Sequence, residues 1–347
     1  MRPDDGVPGP LGRVVRLVRV VRGRKREVVR RLADGTAPRA GGWWRVGLDE
    51  ARVLALPRPG GRDAGPAADH AAGPARSRPL RWAVRLVPPL VVRRPGPRDV
   101  GGVHLLVTKS GGAVLLDPGA GVVVHERAVP FDAAYAGRRE AVAAYLPVRP
   151  GALSADRRVL REPLVAGRPL HRADVAARRA VLRDVAARSA SAAGSGRPGG
   201  ASAAVAAAVD AALAAAPRLP ADLVAALRAD APALRDAAAT WPAVVAHGDL
   251  TGENVLLADD GAWGLVDLED ARPLPWFADA LSLLLRDPDL GPSWAAGREP
   301  DLLAPLHLPG VAPDERAWGR AAALLAAAHH AGQHGGDVAR TLPPLWR

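Results

Sequence analysis

Three oxygen-bearing side chains stand at spacings that suit phosphoryl transfer. Asp249 and Asn254 lie five residues apart in His247-Gly248-Asp249-Leu250-Thr251-Gly252-Glu253-Asn254, and Asp267 follows thirteen residues later. Asn254 is the only asparagine in the chain, so its place is not a by-product of an asparagine-rich composition. Magnesium prefers hard oxygen donors and keeps several waters, and a carboxylate with a neutral amide carbonyl holds it against nucleotide phosphates without piling up negative charge. Asn254 and Asp267 suit that pair. Asp249 suits another role: a carboxylate with an ordinary pKa of about 3.9 is a weak base. It would orient an acceptor hydroxyl and take its proton late, while metal and cationic side chains stabilise the phosphoryl group.

These groups need a rigid mount, and the local sequence supplies one. Val255-Leu256-Leu257 and Trp263-Gly264-Leu265-Val266 are short apolar runs separated by Asp259-Asp260-Gly261, a strong turn signal. The pattern predicts a hairpin with Asn254 entering one strand and Asp267 leaving the other, so that both arrive at the same end.

HGDLTGENVLL followed by GLVDLED resembles the catalytic loop and metal-binding segment of the protein-kinase-like superfamily. Glycine after the histidine, where protein kinases usually have arginine, points to the aminoglycoside phosphotransferase family, the small-molecule kinase branch. The specific part of the resemblance covers about residues 244–285, and a weaker likeness reaches back to about 103. It implies an α+β, bilobal protein-kinase-like fold: a small, mostly β N-lobe and a large, mostly helical C-lobe, here with an extra basic N-terminal region. It also implies Asp249 as catalytic base, Asn254 and Asp267 as magnesium ligands, His247 as a structural histidine of the loop, and Asp279 as the aspartate that opens a helix and braces the loop. ATP or GTP and magnesium are the implied cofactors.

The chain departs from that pattern on the nucleotide side. Protein kinases hold the phosphates with a lysine on their third strand, yet the only lysines here are Lys25 and Lys109. The third strand is expected at Val122-Val123-Val124-His125-Glu126-Arg127, with Arg127 or His125 as the replacement and Arg127 preferred. Arginine keeps its charge and binds phosphate in a fork, but its geometry differs from that of lysine. Glu140, thirteen residues on, is the candidate partner of that cation; an ordinary solvent-facing glutamate is the competing reading. Ser110-Gly111-Gly112 is the candidate phosphate-covering loop, with a plain hairpin turn as the alternative. Glu162-Pro163-Leu164 opens a stretch resembling the hinge at which family members bind adenine through the backbone, with Glu162 and Leu164 as candidate contacts.

Composition bounds the rest. The 347 residues have room for two cores, and the absence of cysteine excludes disulfides and thiolate metal sites. No apolar run is long enough for a membrane span, and the first residues lack a secretory pattern; a cytoplasmic protein without a transmembrane segment is expected. The net charge of +11 is almost all arginine in an Ala/Gly/Arg/Pro-rich chain, so coding bias competes with function as its cause. Its concentrated part, residues 11–31, suits weak contact with an anionic surface, or a solvated cationic element docked on the body.

The expected division is 1–99, a basic region ending in a Pro/Gly-rich linker; 100–168, the N-lobe; and 169–347, the helical C-lobe with the catalytic loop. Helices are expected over 173–188, 203–216 and 314–331, with a helical pair over 219–240. His329, His330 and His334 read as a surface cluster rather than a metal site. Glu269 and Asp270 would attract a cationic acceptor. The resulting expectation is transfer of a γ-phosphoryl group to a hydroxyl of a small molecule, such as a sugar, amino sugar or glycoconjugate precursor. The missing lysine keeps a nucleotide-binding pseudokinase or regulatory protein without turnover as the alternative, and a basic scaffold as a further one.

Overall fold

The computed structural model describes residues 112–194, 199–334 and 338–346, and before them 22–23, 26–27, 30, 42–49, 52–57, 90–94 and 104–107. Most of the basic stretch 11–31, the Pro/Gly-rich run after Pro57, and Lys25, Lys109, Ser110 and Gly111 lie outside the described residues. Two compact units emerge, Met1–Asp132 with Pro150–Leu164, and Ala133–Arg149 with Val165–Arg347.

The first unit is an antiparallel sheet. Its strands are β1 (Gly42–Asp49), β2 (Arg52–Pro57), β3 (Leu90–Arg94), β4 (His104–Val107), β5 (Ala113–Asp117), β6 (Val122–Glu126), β7 (Ala152–Leu153) and β8 (Val159–Pro163), in the spatial order β3-β1-β2-β4-β5-β6-β8-β7. The period-2 alternation of β5 buries Ala113 and Leu115 on one face. Its turn into β6 is closed by Asp117, whose Oδ1 accepts the Ala120 amide at 2.9 Å, and by Gly121 at φ 64°, a left-handed position suited to glycine.

The second unit is mainly helical, as the resemblance implied for the large lobe. Its helices are α1 (Tyr135–Ala143), α2 (Val175–Ala193), α3 (Ser202–Ala214), α4 (Ala221–Ala238), α5 (Ala278–Leu285), α6 (Leu290–Ala295), α7 (Glu315–His334) and α8 (Val338–Trp346). The pair expected over 219–240 is one helix. Pro232 lies inside α4 without ending it, because Leu223, Leu227, Ala231, Leu234 and Ala238 recur at helical spacing and bury one continuous face. Asp174 caps α2 by accepting the Ala177 amide, and Asp314 accepts the Ala317 amide at the start of α7.

Two short sheets carry the loop of interest. Strands β9 (Arg168–Pro169), β11 (Val255–Leu257) and β12 (Trp263–Leu265) form one sheet, and β10 (Ala243–Ala246) pairs with β13 (Arg272–Pro275) in the other. An aromatic core fixes the helices beside them. Phe277 lies edge-on to Trp241 and Trp276, each with ring centroids 4.9 Å away, and stacks on Trp318 at 5.6 Å. This cluster joins the entry of α5 to the first turn of α7. Among the described residues, no helix is long and apolar enough to cross a membrane.

Candidate active site

The loop 247–254 is strung between β10 and β11. Ala246 pairs with Arg272 across the β10–β13 ladder, which sets His247 beside the segment 270–272. His247 is fully buried and tied on three sides. Its backbone N–H donates to Asp279 Oδ2 at 2.7 Å, its Nε2 lies 2.9 Å from the Val266 carbonyl, and its Nδ1 is 3.4 Å from the Asp249 amide. A carbonyl only accepts, so the imidazole carries its proton on Nε2 and Nδ1 faces the amide as acceptor. His247 thus links the loop to the strand that delivers Asp267.

Gly248 has no room for a side chain. At φ 85° a Cβ would fall 2.2 Å from the Asp270 carbonyl oxygen and 3.0 Å from Arg272 Nη1. Its amide donates to Asp279 Oδ1 at 3.1 Å. Asp279, in the first turn of α5, therefore caps two consecutive loop amides, and both it and the helix dipole favour that placement of negative charge. Burial pushes its carboxyl above the usual carboxylate range, against the opposing pull of the His247 ring, the two amides and Arg272.

The hairpin forms between β11 and β12, with Val255 opposite Leu265 and Leu257 opposite Trp263. Asp260 Oδ1 accepts the Ala262 amide, and Gly261 turns at φ 85°. Beyond the strands, Val266 N–H donates to the Asn254 carbonyl at 3.0 Å, which adds one more rung and holds Asn254 across from the residue before Asp267. Asn254 Nδ2 donates to the Asp249 carbonyl at 2.9 Å, leaving Oδ1 as the amide's acceptor. Asp267 is exposed and left-handed at φ 65°, ψ 57°, and its carboxylate caps nothing in the 3-10 turn that follows. Aspartate and asparagine tolerate this conformation better than other non-glycine residues, and such backbone cost concentrates at ligand clamps. An amide oxygen and an exposed carboxylate fit magnesium chemically.

Asp249 is not alone. Arg286, at the end of α5, donates from Nη1 to Asp249 Oδ1 at 2.7 Å; their side chains are 24% and 33% exposed. One ligand atom each of Asp249, Asp270 and His329 lies within 4.8 Å of the others. Two arginines already supply positive charge here, so the cluster is a hydrogen-bonded ion network. Burial works to raise the Asp270 carboxyl, but His329, Arg272 and His247 bring it below the usual range. Burial lowers Arg272, opposed by Asp270, Asp279 and Asp249. The turn that carries Arg286 is itself anchored: Arg178 of α2 donates to both oxygens of Asp287 at 2.9 Å and to Asp289.

The nucleotide-side candidates are spread over both units. Arg127 follows β6 directly, with its guanidinium 4.8 Å from the centre of the Phe131 ring and its amide bound to the Arg158 carbonyl. His125 Nε2 lies 3.0 Å from Glu162 Oε2, within the β6–β8 part of the sheet. Leu164 N–H donates to the Gly121 carbonyl at 2.8 Å. Gly112 is buried just ahead of β5. Glu140 is exposed on α1 of the second unit, where its neighbour Arg139 is buried.

Arg286, Arg272 and His329 were not among the sequence candidates. The reading of His329 as part of a surface cluster is corrected: its side chain is 10% exposed, inside the ion network, whereas His330 is exposed; the His334 side chain lies outside the described residues. Helical spacing held the signal, because His329 falls four residues after the buried Leu325.

Residues 129–313 match the model of the phosphotransferase enzyme family (APH). Similar solved structures include an aminoglycoside phosphotransferase from Streptomyces rimosus, at 21% identity over 72% of this chain and 93% of that one with a TM-score of 0.44. A glucosamine kinase in complex with glucosamine, ADP and inorganic phosphate is 17% identical over 69% and 78%, with a TM-score of 0.41. A choline/ethanolamine kinase family protein from Mesorhizobium loti is 14% identical over 72% and 87%, with a TM-score of 0.47. No curated protein matches the sequence. With the family match spanning more than half of the residues and containing Asp249, Asn254 and Asp267, this chain belongs to the phosphotransferase enzyme family.

Proposed function

We propose that the chain transfers the γ-phosphoryl group of ATP or GTP to a hydroxyl of a small molecule, a sugar, amino sugar or glycoconjugate precursor, with Asp249 as base and magnesium held by Asn254 and Asp267. The observation that carries this reading is the coupling of loop and hairpin. The Asn254 side chain grips the Asp249 carbonyl while its own carbonyl fixes Val266, the residue before the exposed Asp267 carboxylate. When bound, magnesium would neutralise charge on the nucleotide phosphates.

Asp249 is open enough for an acceptor to reach, and Arg286 occupies Oδ1, so Oδ2 is the oxygen an incoming hydroxyl would meet. The charges around it favour a polyhydroxylated acceptor over one that depends on an ammonium group. Asp270 is committed to His329, and Arg272 and Arg286 balance Asp249 and Asp270. On the nucleotide side Arg127 takes the role of the strand lysine; His125 is already engaged by Glu162.

The test is ADP release from magnesium ATP across sugars, amino sugars and aminoglycosides, comparing the wild type with Asp267→Gly. Glycine suits φ 65°, so this variant should fold at least as well while lacking the carboxylate. Turnover should drop about 100-fold and respond to added magnesium, because loss of even an outer partner of a metal costs about 10–100-fold. Full turnover by the variant at the same magnesium concentration would remove Asp267 from the metal site.

A further inference from the structure

The network around His329 has a use that ordinary packing does not require. Arg272 Nη1 has two hydrogens and two acceptors, the Asp270 carbonyl at 3.1 Å and His329 Nδ1 at 3.1 Å. A guanidinium only donates, so Nδ1 must accept, and the imidazole proton is left on Nε2. That nitrogen lies 3.2 Å from Asp270 Oδ2. Arg272 Nη1 and the Asp270 carbonyl oxygen it binds are the two groups that crowd Gly248, and the His329 side chain, delivered from α7, holds Arg272 at Nη1 and Asp270 at its carboxylate. Gly248 is the residue immediately before Asp249.

We infer that His329 is a positioning residue for phosphotransfer: a neutral imidazole that sets Arg272 and Asp270 against the Gly248 backbone and so fixes where Asp249 stands. This rests on Asp249 being the base proposed above. The charged groups facing the ring are Asp270 from the 3-10 turn, Arg272 from β13 and Asp249 from the loop, with Arg286 bound to Asp249 and His247 facing Asp270. A second proton, on Nδ1, would abolish the acceptor and bring a cation within 3.1 Å of the Arg272 guanidinium. The loop would then lose its support.

Glutamine offers the same pair of functions, one acceptor and one donor, and cannot take a second proton there. The full-length wild type, His329→Gln, His329→Ala and Asp249→Asn are compared by ADP release from magnesium ATP with water or glucosamine as probe acceptor, and by nitrogen-15 spectra of the imidazoles and loop amides. His329→Gln should stay within about threefold of wild type at pH 8 and lose part of the acid-side decline. His329→Ala should lower kcat by about 10–100-fold with a smaller change in nucleotide KM, as a misplaced reacting group does, and should shift the Gly248 and Asp249 amide signals. At pH 8 the His329 ring should show its proton on Nε2.

An alanine variant with wild-type kcat, pH profile and loop signals would overturn the inference, as would a ring protonated on Nδ1. If Asp249→Asn releases ADP as fast as the wild type, the base assignment is what fails. The ring tautomer and the loop signals then judge His329 by themselves.

Discussion

Turnover should fall by about 10²–10⁴-fold when Asp249 is replaced by asparagine, the range that removal of a positioned base produces, while the folded protein keeps nearly all of its stability. Asparagine has the same shape but cannot take the proton of an acceptor hydroxyl. Its amide oxygen would still accept from the Arg286 guanidinium, which now donates to Oδ1 at 2.7 Å, and its NH2 group would stand where the hydroxyl needs an acceptor. That pair is partly exposed, and exposed pairs contribute only about 0–1 kcal/mol, so the loss should appear in kcat and not in the unfolding midpoint. The loop itself is tied through the Asp249 carbonyl and amide, which the substitution leaves in place. Nucleotide affinity, measured by titration calorimetry, should change little. ADP release at the wild-type rate would strip Asp249 of its role. If the wild type binds nucleotide but no acceptor lifts release above this variant, the chain behaves as the nucleotide-binding protein that its missing strand lysine suggested.

What was legible in the sequence was local. The hairpin could be read because its turn residues, Asp260 and Gly261, make their bonds within two or three positions, and its strand ends bring Asn254 and Val266 together by register alone. The support of Asp249 was not legible. Arg286 reaches it from 37 residues away and His329 reaches Arg272 from 57, separations that depend on how α5 and α7 pack around Trp276, Phe277 and Trp318. Asp270 shows how such contacts reverse a reading. Counted in sequence it is a free negative charge; in the fold its carboxylate faces His329 and its carbonyl faces Arg272. His329 and His330 were grouped by adjacency, although neighbours on a helix point about 100° apart. The pair expected over 219–240 is one helix because a helix with a long apolar face outlasts the one amide that Pro232 lacks.

Asp279→Ala should cost about 2–6 kcal/mol of stability, and the loss has a specific origin. The carboxylate is 2% exposed and accepts the His247 and Gly248 amides at 2.7 and 3.1 Å. Alanine leaves both donors buried without partners, at about 1–3 kcal/mol each. Asp279→Asn keeps one acceptor and turns a donor toward the other amide, so it should lie between alanine and wild type. The pH dependence has a definite sign. Burial raises the folded carboxyl above its unfolded value, so the protonated state contributes stability below the unfolded pKa of about 3.9, and that contribution is lost as pH rises through the folded value. Relative to Asp279→Asn, which does not titrate, the wild type should therefore become less stable as pH rises out of the ordinary carboxylate range. Urea unfolding at several pH values checks both statements. A loss below about 1 kcal/mol for alanine would mean that the two loop amides find other partners, and the helix that carries Asp279 in its first turn would no longer account for the set of the loop.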